Sequence, residues 1–143
     1  MTIIQRSALL PYPVERLFEL VNDIEAYPRY MDGCVGARVM RRDEDVIEAR
    51  LDLARGGITH SFATRNRSQP HHTIELELLE GPFESFCGRW RFQRLGDMAC
   101  KVSLDLEFTF ANGLLGAAAG KLFEGVTGNL VDALARRARE LYG

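Results

Sequence analysis

The longest periodic pattern in the chain lies at its C-terminal end, where apolar side chains recur at steps of three or four. The positions are Leu114, Ala118, Leu122, Val126, Leu130, Leu134, Ala138 and Leu141. This spacing predicts one amphipathic helix from Gly113 to Tyr142, about 40 Å long, with Asn112 as its N-cap. An amphipathic helix must bury its apolar stripe, so the preceding residues have to supply a partner surface.

Alternating apolar and polar residues before this helix predict that partner, an antiparallel sheet. The predicted strands cover residues 3–10, 36–42, 46–53, 58–67, 72–80, 83–94 and 100–110. Turn sequences such as Arg55-Gly56-Gly57 and Leu95-Gly96-Asp97 separate neighbouring strands, and such short connections indicate a meander. Each strand has one apolar face, which predicts a curved sheet that wraps around the long helix.

Two short helices are predicted between the first strand and the meander. Pro13 is suited to open the first of them, and Asp23 precedes the second, from Ile24 to Tyr27. The fold class is therefore α+β, with seven antiparallel strands, two short helices after strand 1 and a long C-terminal helix. We expect residues 1–143 to form a single domain.

Four glycines interrupt the predicted long helix: Gly116, Gly120, Gly125 and Gly128. Each costs about 1 kcal/mol relative to alanine in an exposed helix interior, so each needs a reason. One explanation is close packing of the helix against a strand. The other is that the missing side chains leave room for a bound molecule beside the helix.

Composition narrows the class of protein. The chain has 143 residues and a net charge of −2, so no global field attracts it to nucleic acid or to an anionic membrane. The N-terminus lacks the features of a signal peptide, and no apolar run reaches the roughly 20 residues of a membrane span. Cys34, Cys87 and Cys100 suit neither a disulfide framework nor a metal site, so we expect buried thiols in a reducing cytoplasm.

The polar residues do not form a recognisable catalytic set. His71 and His72 lie in a predicted turn, where adjacent side chains diverge and make a poor metal pair. His60 has the strand parity of Phe62, so it is either a core histidine or a polar group that orients a ligand. No nucleophile motif or phosphate-binding loop is present. We therefore predict no catalytic residues and no metal site.

Inward-facing aromatic and apolar residues give the better indication of a site. A pocket with aromatic walls and few polar groups would suit a quinone or a lipid, although core packing explains the same residues equally well. The candidate ligand-binding residues are Phe18, Tyr27, Tyr30, Phe62, Trp90, Phe92, Phe108, Leu122, Val126 and Leu130.

Outward-facing arginines give a second candidate site. Arg65, Arg67, Arg89 and Arg91 share a parity on neighbouring strands and could form a patch that holds phosphates of RNA or of lipid headgroups. Exposed arginines are also common on the solvent face of any strand.

Several segments together resemble the START-like, or helix-grip, superfamily. They are residues 11–30, 33–36, 57–66, 81–83 and 88–92, followed by the strand at 100–110 and the long helix. More narrowly, the chain resembles the coenzyme Q-binding START-domain proteins, which in bacteria include the ribosome-association toxin family. The resemblance implies a sheet that grips the last helix around a hydrophobic tunnel, with no catalytic residues.

The resemblance implies two roles. The first is binding of ubiquinone or a related isoprenoid lipid in support of respiratory electron transport, with the headgroup and first isoprene units enclosed. The alternative is binding of the large ribosomal subunit, which blocks subunit joining. An enzyme of the polyketide-cyclase kind is a third possibility on this fold. We expect a cytoplasmic monomer with no cofactor other than bound ubiquinone, and transient contact with the inner membrane stays open.

Overall fold

A computed structural model describes the backbone of residues 1–143 and all side chains except those of residues 114–116. Its seven strands are β1 (Thr2–Leu10), β2 (Cys34–Arg42), β3 (Val46–Arg55), β4 (Ile58–Gln69), β5 (Thr73–Glu80), β6 (Phe83–Gly96) and β7 (Ala99–Phe110). They form one antiparallel sheet in the order β1-β7-β6-β5-β4-β3-β2. The predicted meander is confirmed, and β1 closes it by pairing with β7.

The helices lie on the concave face of the sheet. Helix α1 (Val14–Asn22) and a 3₁₀ helix (Ile24–Arg29) follow β1, as predicted, and α2 (Leu114–Gly128) and α3 (Leu130–Tyr142) end the chain. The architecture is the expected helix-grip fold. Val102, Leu104 and Phe108 of β7 are almost completely buried beneath the helices, so β7 forms the centre of the core.

The predicted single C-terminal helix is bent at Asn129, which separates α2 from α3. Three hydrogen bonds account for the bend. The side-chain amide of Asn129 donates to the Gly125 carbonyl, its backbone N–H bonds to Val126 instead of the residue four earlier, and the Thr127 hydroxyl donates to the Phe123 carbonyl. Asparagine and threonine both compete with helical hydrogen bonds in this way, and Gly128 resists the bend little.

Both ends of the predicted helix also need correction. Gly113, not Asn112, is the N-cap of α2, and its φ of 109° lies in the region that glycine enters without strain. Leu141 is 49% exposed, because the bend and the end of the core leave the last turn of α3 in solvent. Leu114 lies outside the described side chains.

Helical residues also cover the free edge of β2. The Glu25 carboxylate, on the 3₁₀ helix, accepts a hydrogen bond from the Val39 backbone N–H at 3.3 Å. An unpaired edge N–H is a template for pairing with another chain, so this contact blocks part of the edge.

Candidate functional site

An apolar cavity of about 90 Å³ lies between the concave face of the sheet and the bend of the C-terminal helices. Strands β3 to β7 form its floor, the 3₁₀ helix closes one side, and α2 with the start of α3 covers it. Among the described residues that line it there is no lysine, arginine or histidine. The cavity can therefore hold an apolar molecule, but it offers nothing to balance a buried charge.

Five of the ten candidate ligand-binding residues line this cavity. They are Tyr27, Phe62, Trp90, Val126 and Leu130. Phe62 and Trp90 project from the sheet, while Val126 and Leu130 flank the bend at Asn129 from opposite sides. The bend therefore brings two helical segments to one cavity.

The other five candidates lie outside the cavity. The ring of Phe18 packs between those of Phe92 and His71, with centroids 5.3 and 5.2 Å away. Phe108 is fully buried in the phenylalanine cluster, which also contains Phe62, Phe83, Phe86, Phe110 and Phe123.

Tyr30 and Leu122 complete that group of five. Tyr30 packs against Tyr27, and the Arg137 guanidinium lies 5.4 Å from the centre of its ring. Leu122 lines a separate surface groove that also contains Arg55 and Lys121.

Sequence reasoning missed several residues of the cavity wall. Thr64 and Asn66 have the strand parity of Phe62, so the period of two contained the signal for both. Phe123 and Thr127 lie beside the predicted stripe, and the bend turns them inward. Met31 follows the 3₁₀ helix in an irregular segment that has no periodicity to indicate its direction.

The polar groups of the cavity wall are almost all used within the protein. The Tyr27 hydroxyl donates to the Val21 carbonyl, and the Thr127 hydroxyl donates to the Phe123 carbonyl. The Thr64 hydroxyl donates to Oδ1 of Asn66 at 2.8 Å. Burial raises the pKa of Tyr27 well above its ordinary value and that of the Cys34 thiol to about 11, so both stay neutral at pH 7.

None of the helix glycines with described surroundings opens onto this cavity. A Cβ on Gly120 would collide with the ring of Phe110, so Gly120 permits close approach of α2 to β7. A Cβ on Gly125 would meet the Arg55 guanidinium, and one on Gly128 would reach only Arg6, at 3.9 Å. The packing explanation therefore holds for Gly120, while Gly116 lies outside the described side chains.

The four candidate arginines lie together on the convex face of the sheet, but each has a carboxylate partner. Arg65 bonds Glu48 at 2.8 Å and Glu77 at 3.2 Å, and Arg67 lies 3.9 Å from Glu77. Arg89 pairs with Glu75, and Arg91 with Asp105, both at 2.7 Å. We call these eight residues the charge ladder. Its charges alternate across strands β3 to β7, so the face carries little net charge.

The remaining candidate groups are scattered. His60 is half-buried beside Phe62 at the sheet margin, and Cys87 is exposed, contrary to the expectation of three buried thiols. Across the described part of the chain, no three or more histidine, cysteine, aspartate or glutamate residues are arranged to hold a metal ion. Within that same part, no helix is long and apolar enough to cross a membrane.

Comparison with known families agrees with this architecture. The sequence model of the family described as "Polyketide cyclase / dehydrase and lipid transport" matches residues 10–135. A START superfamily protein from Mycobacterium smegmatis has the same fold, with a TM-score of 0.80, 22% identity and coverage of 97% of this chain and 98% of that one. The chain therefore belongs to this START-like family.

Two relatives narrow the comparison. The chain is 44% identical to the ribosome association toxin RatA of Pseudomonas aeruginosa, over 99% of both chains. It is 21% identical to the mitochondrial coenzyme Q-binding protein COQ10 of Dictyostelium discoideum, over 94% of this chain and 67% of that protein.

Proposed function

We propose that this protein associates with the large ribosomal subunit and blocks subunit joining, which is the alternative of the two roles implied by the sequence. The observation that carries the proposal is the 44% identity to a ribosome association toxin along 99% of both chains. The role is one of binding, without catalysis, and it requires a cytoplasmic protein.

Sucrose-gradient sedimentation tests this proposal. Purified protein is added to separated ribosomal subunits before magnesium is raised to promote their joining. We expect it to co-sediment with the large subunit and to reduce the fraction of joined ribosomes in proportion to its concentration. Unchanged joining at a severalfold molar excess of protein would refute the proposal.

The charge ladder remains our candidate for the ribosome-binding surface. To bind RNA phosphates, its arginines must first give up their ion pairs with carboxylates. Each phosphate contact therefore contributes less binding free energy than a contact from an unpaired cation would. Arg89→Ala should weaken co-sedimentation and lower its salt dependence, because each phosphate contact contributes about 0.7–0.9 to the slope of log affinity against log salt.

A variant that exchanges two charges distinguishes loss of a ribosome contact from loss of protein stability. The double variant Arg89→Glu/Glu75→Arg keeps the net charge and the ion pair but moves the cation to another strand. Weakened association with an unchanged melting temperature would support direct contact at Arg89. Parent-like association of both variants would remove Arg89 from the binding surface.

The cavity supports a second candidate function, binding of an apolar ligand of the ubiquinone class at the inner membrane. Its apolar walls and the distant COQ10 relative favour this role. The ligand should co-purify and be identified by lipid extraction and mass spectrometry, and added quinone should quench Trp90, the only tryptophan. Absence of both signals at quinone concentrations of about 100 μM, which corresponds to about −5.5 kcal/mol, would exclude the candidate.

A further inference from the structure

One hydrogen-bonding group of the cavity wall is unused. Asn66 is only 9% exposed, and its Oδ1 accepts the Thr64 hydroxyl. Its Nδ2 donates to no group among the described residues, although Tyr27, Thr64 and Thr127 around the same cavity all use their hydroxyls. The Nδ2 atom keeps some accessible surface, so it can donate to a molecule that enters the cavity.

From this geometry we infer that the cavity selects neutral ligands with a carbonyl oxygen, and that Asn66 is the residue that recognises it. The inference rests on the second candidate function, apolar ligand binding. A carbonyl oxygen accepts up to two hydrogen bonds and carries no donor hydrogen that would itself need a partner. It is therefore complementary to the –NH₂ donor of Asn66.

The same wall discriminates against two other ligand classes. A carboxylate would enter a cavity whose described lining contains no cation, and desolvation of its charge would go uncompensated. A hydrocarbon would fit the apolar walls but would leave the Asn66 donor unpaired. The compatible ligands are therefore small apolar molecules that carry a ketone, quinone, ester or amide carbonyl.

A pair of isosteric probes tests this selection. Cyclopentanone and methylenecyclopentane differ only in the replacement of the carbonyl oxygen by CH₂, and both bring a compact body to a cavity of about 90 Å³. Affinities are measured by NMR titration of the parent, of Asn66→Leu and of Asn112→Leu. The Asn112 variant is the matched control, because it makes the same substitution at an exposed asparagine that does not line the cavity.

We expect the preference for ketone over alkene to fall about tenfold in Asn66→Leu, equivalent to about 1.4 kcal/mol, and to stay unchanged in Asn112→Leu. The two probes differ in hydration free energy, but this difference is the same for every protein variant. It therefore cancels when the ketone-to-alkene affinity ratios of the variants are compared. Isobutyrate should bind more weakly than cyclopentanone in the parent. A ratio that does not change in Asn66→Leu would overturn the inference.

A measurement on the parent alone keeps the inference testable if Asn66→Leu does not fold. Cyclopentanone should move the side-chain amide signal of Asn66 downfield, and methylenecyclopentane should leave that signal nearly in place. An amide signal unmoved by ketone, while Trp90 reports its binding, overturns the carbonyl assignment and leaves ligand binding intact. If neither probe perturbs Trp90, both the inference and the second candidate function fail, and ribosome association stands unaffected.

Discussion

Gly120 allows α2 to pack closely against β7, because a side chain at this position would collide with the ring of Phe110. Gly120→Ala should destabilise the protein by about 1–3 kcal/mol, since the added methyl overpacks a buried contact. Gly128→Ala is the matched control. Its Cβ meets only Arg6, at 3.9 Å, so we expect a gain of about 0.5–1 kcal/mol.

Chemical denaturation of the two variants measures both effects. Opposite signs for two identical substitutions in one helix would show that surroundings, rather than helix propensity, decide the outcome. Equal stabilisation by both alanines would mean that Phe110 moves aside at no cost and that Gly120 has no packing role.

Cys34 makes the stability of the fold sensitive to alkaline pH. Burial raises its pKa from 9.0 to about 11, so between these values the folded state keeps a proton that the unfolded state has released. Stability should therefore fall as pH rises from about 9 to 11, by on the order of 2–3 kcal/mol for a shift of this size.

Stability curves of two alanine variants isolate this contribution. Between pH 9 and 11 the free energy of unfolding should fall less in Cys34→Ala than in the parent. In Cys87→Ala, which removes an exposed thiol, it should fall as much as in the parent. Repulsion from the Cys34 thiolate also helps to raise the pKa of Tyr27 and Tyr30, so the part of the decline lost in Cys34→Ala includes this coupling. A decline of the same size in all three proteins would rule out Cys34 as its source.

At the scale of elements, the strands could be predicted closely and the helix only in part. Alternation marks each strand, and turns such as Arg55-Gly56-Gly57 mark the ends, so the observed bounds differ by a few residues. The bend at Asn129 escaped prediction because Val126 and Leu130 keep the apolar stripe in register across it. The hydrogen bonds that break the helix belong to side chains, and periodicity does not register them.

The charge ladder gives a prediction at this scale. Arg65→Glu should lower stability more than Arg65→Ala, because reversal puts a third carboxylate beside Glu48 and Glu77, whose oxygens lie 2.8 and 3.2 Å from the native guanidinium. For Arg65→Ala we expect only the small loss that is typical of solvent-screened ion pairs.

Salt provides the control for this comparison. The difference between the two Arg65 variants should shrink at 1 M salt, where the screening length falls to about 3 Å. Thermal melting at low and high salt measures it. A difference that does not respond to salt would point to packing of the arginine side chain rather than to its charge.

At the scale of the whole molecule, the sequence indicated a cavity but not its dimensions. Parity shows which residues face the helices, yet it does not show where α2 and α3 fill the concave face and where they leave a void. Phe92 and Phe108 face inward and are covered, whereas Trp90 faces inward and meets the cavity. Whether an inward-facing residue is covered or lines the cavity depends on the angle between α2 and α3.

The size of the cavity predicts how a quinone would enter. A cavity of about 150 Å³ is known to hold benzene, so one of about 90 Å³ cannot enclose a substituted quinone ring without displacement of the helices. The sequence-based expectation of an enclosed headgroup and isoprene units therefore requires an opened state. Binding should be limited by that opening, and its observed rate should reach a plateau as quinone concentration rises.

Stopped-flow measurement of Trp90 fluorescence tests this expectation with a short-chain ubiquinone. Cyclopentanone, a smaller molecule, is the control: it needs less opening than a substituted quinone, so its rate should rise above the quinone plateau over the same range. A quinone rate that rises linearly throughout would mean that the cavity is already open to large ligands.

The pairing of β1 with β7 has a consequence for the order in which the protein is made. Thr2 pairs with Phe108 and Leu10 with Cys100, so β1 gains its neighbour in the sheet only after β7 has been synthesised. Strands β2 to β7 can add one hairpin at a time as the chain is translated, but β1 must close a loop of almost the whole sequence. Until then its apolar residues Ile4 and Leu10 stay uncovered, so the nascent chain is exposed to aggregation for as long as β2 to β7 take to emerge.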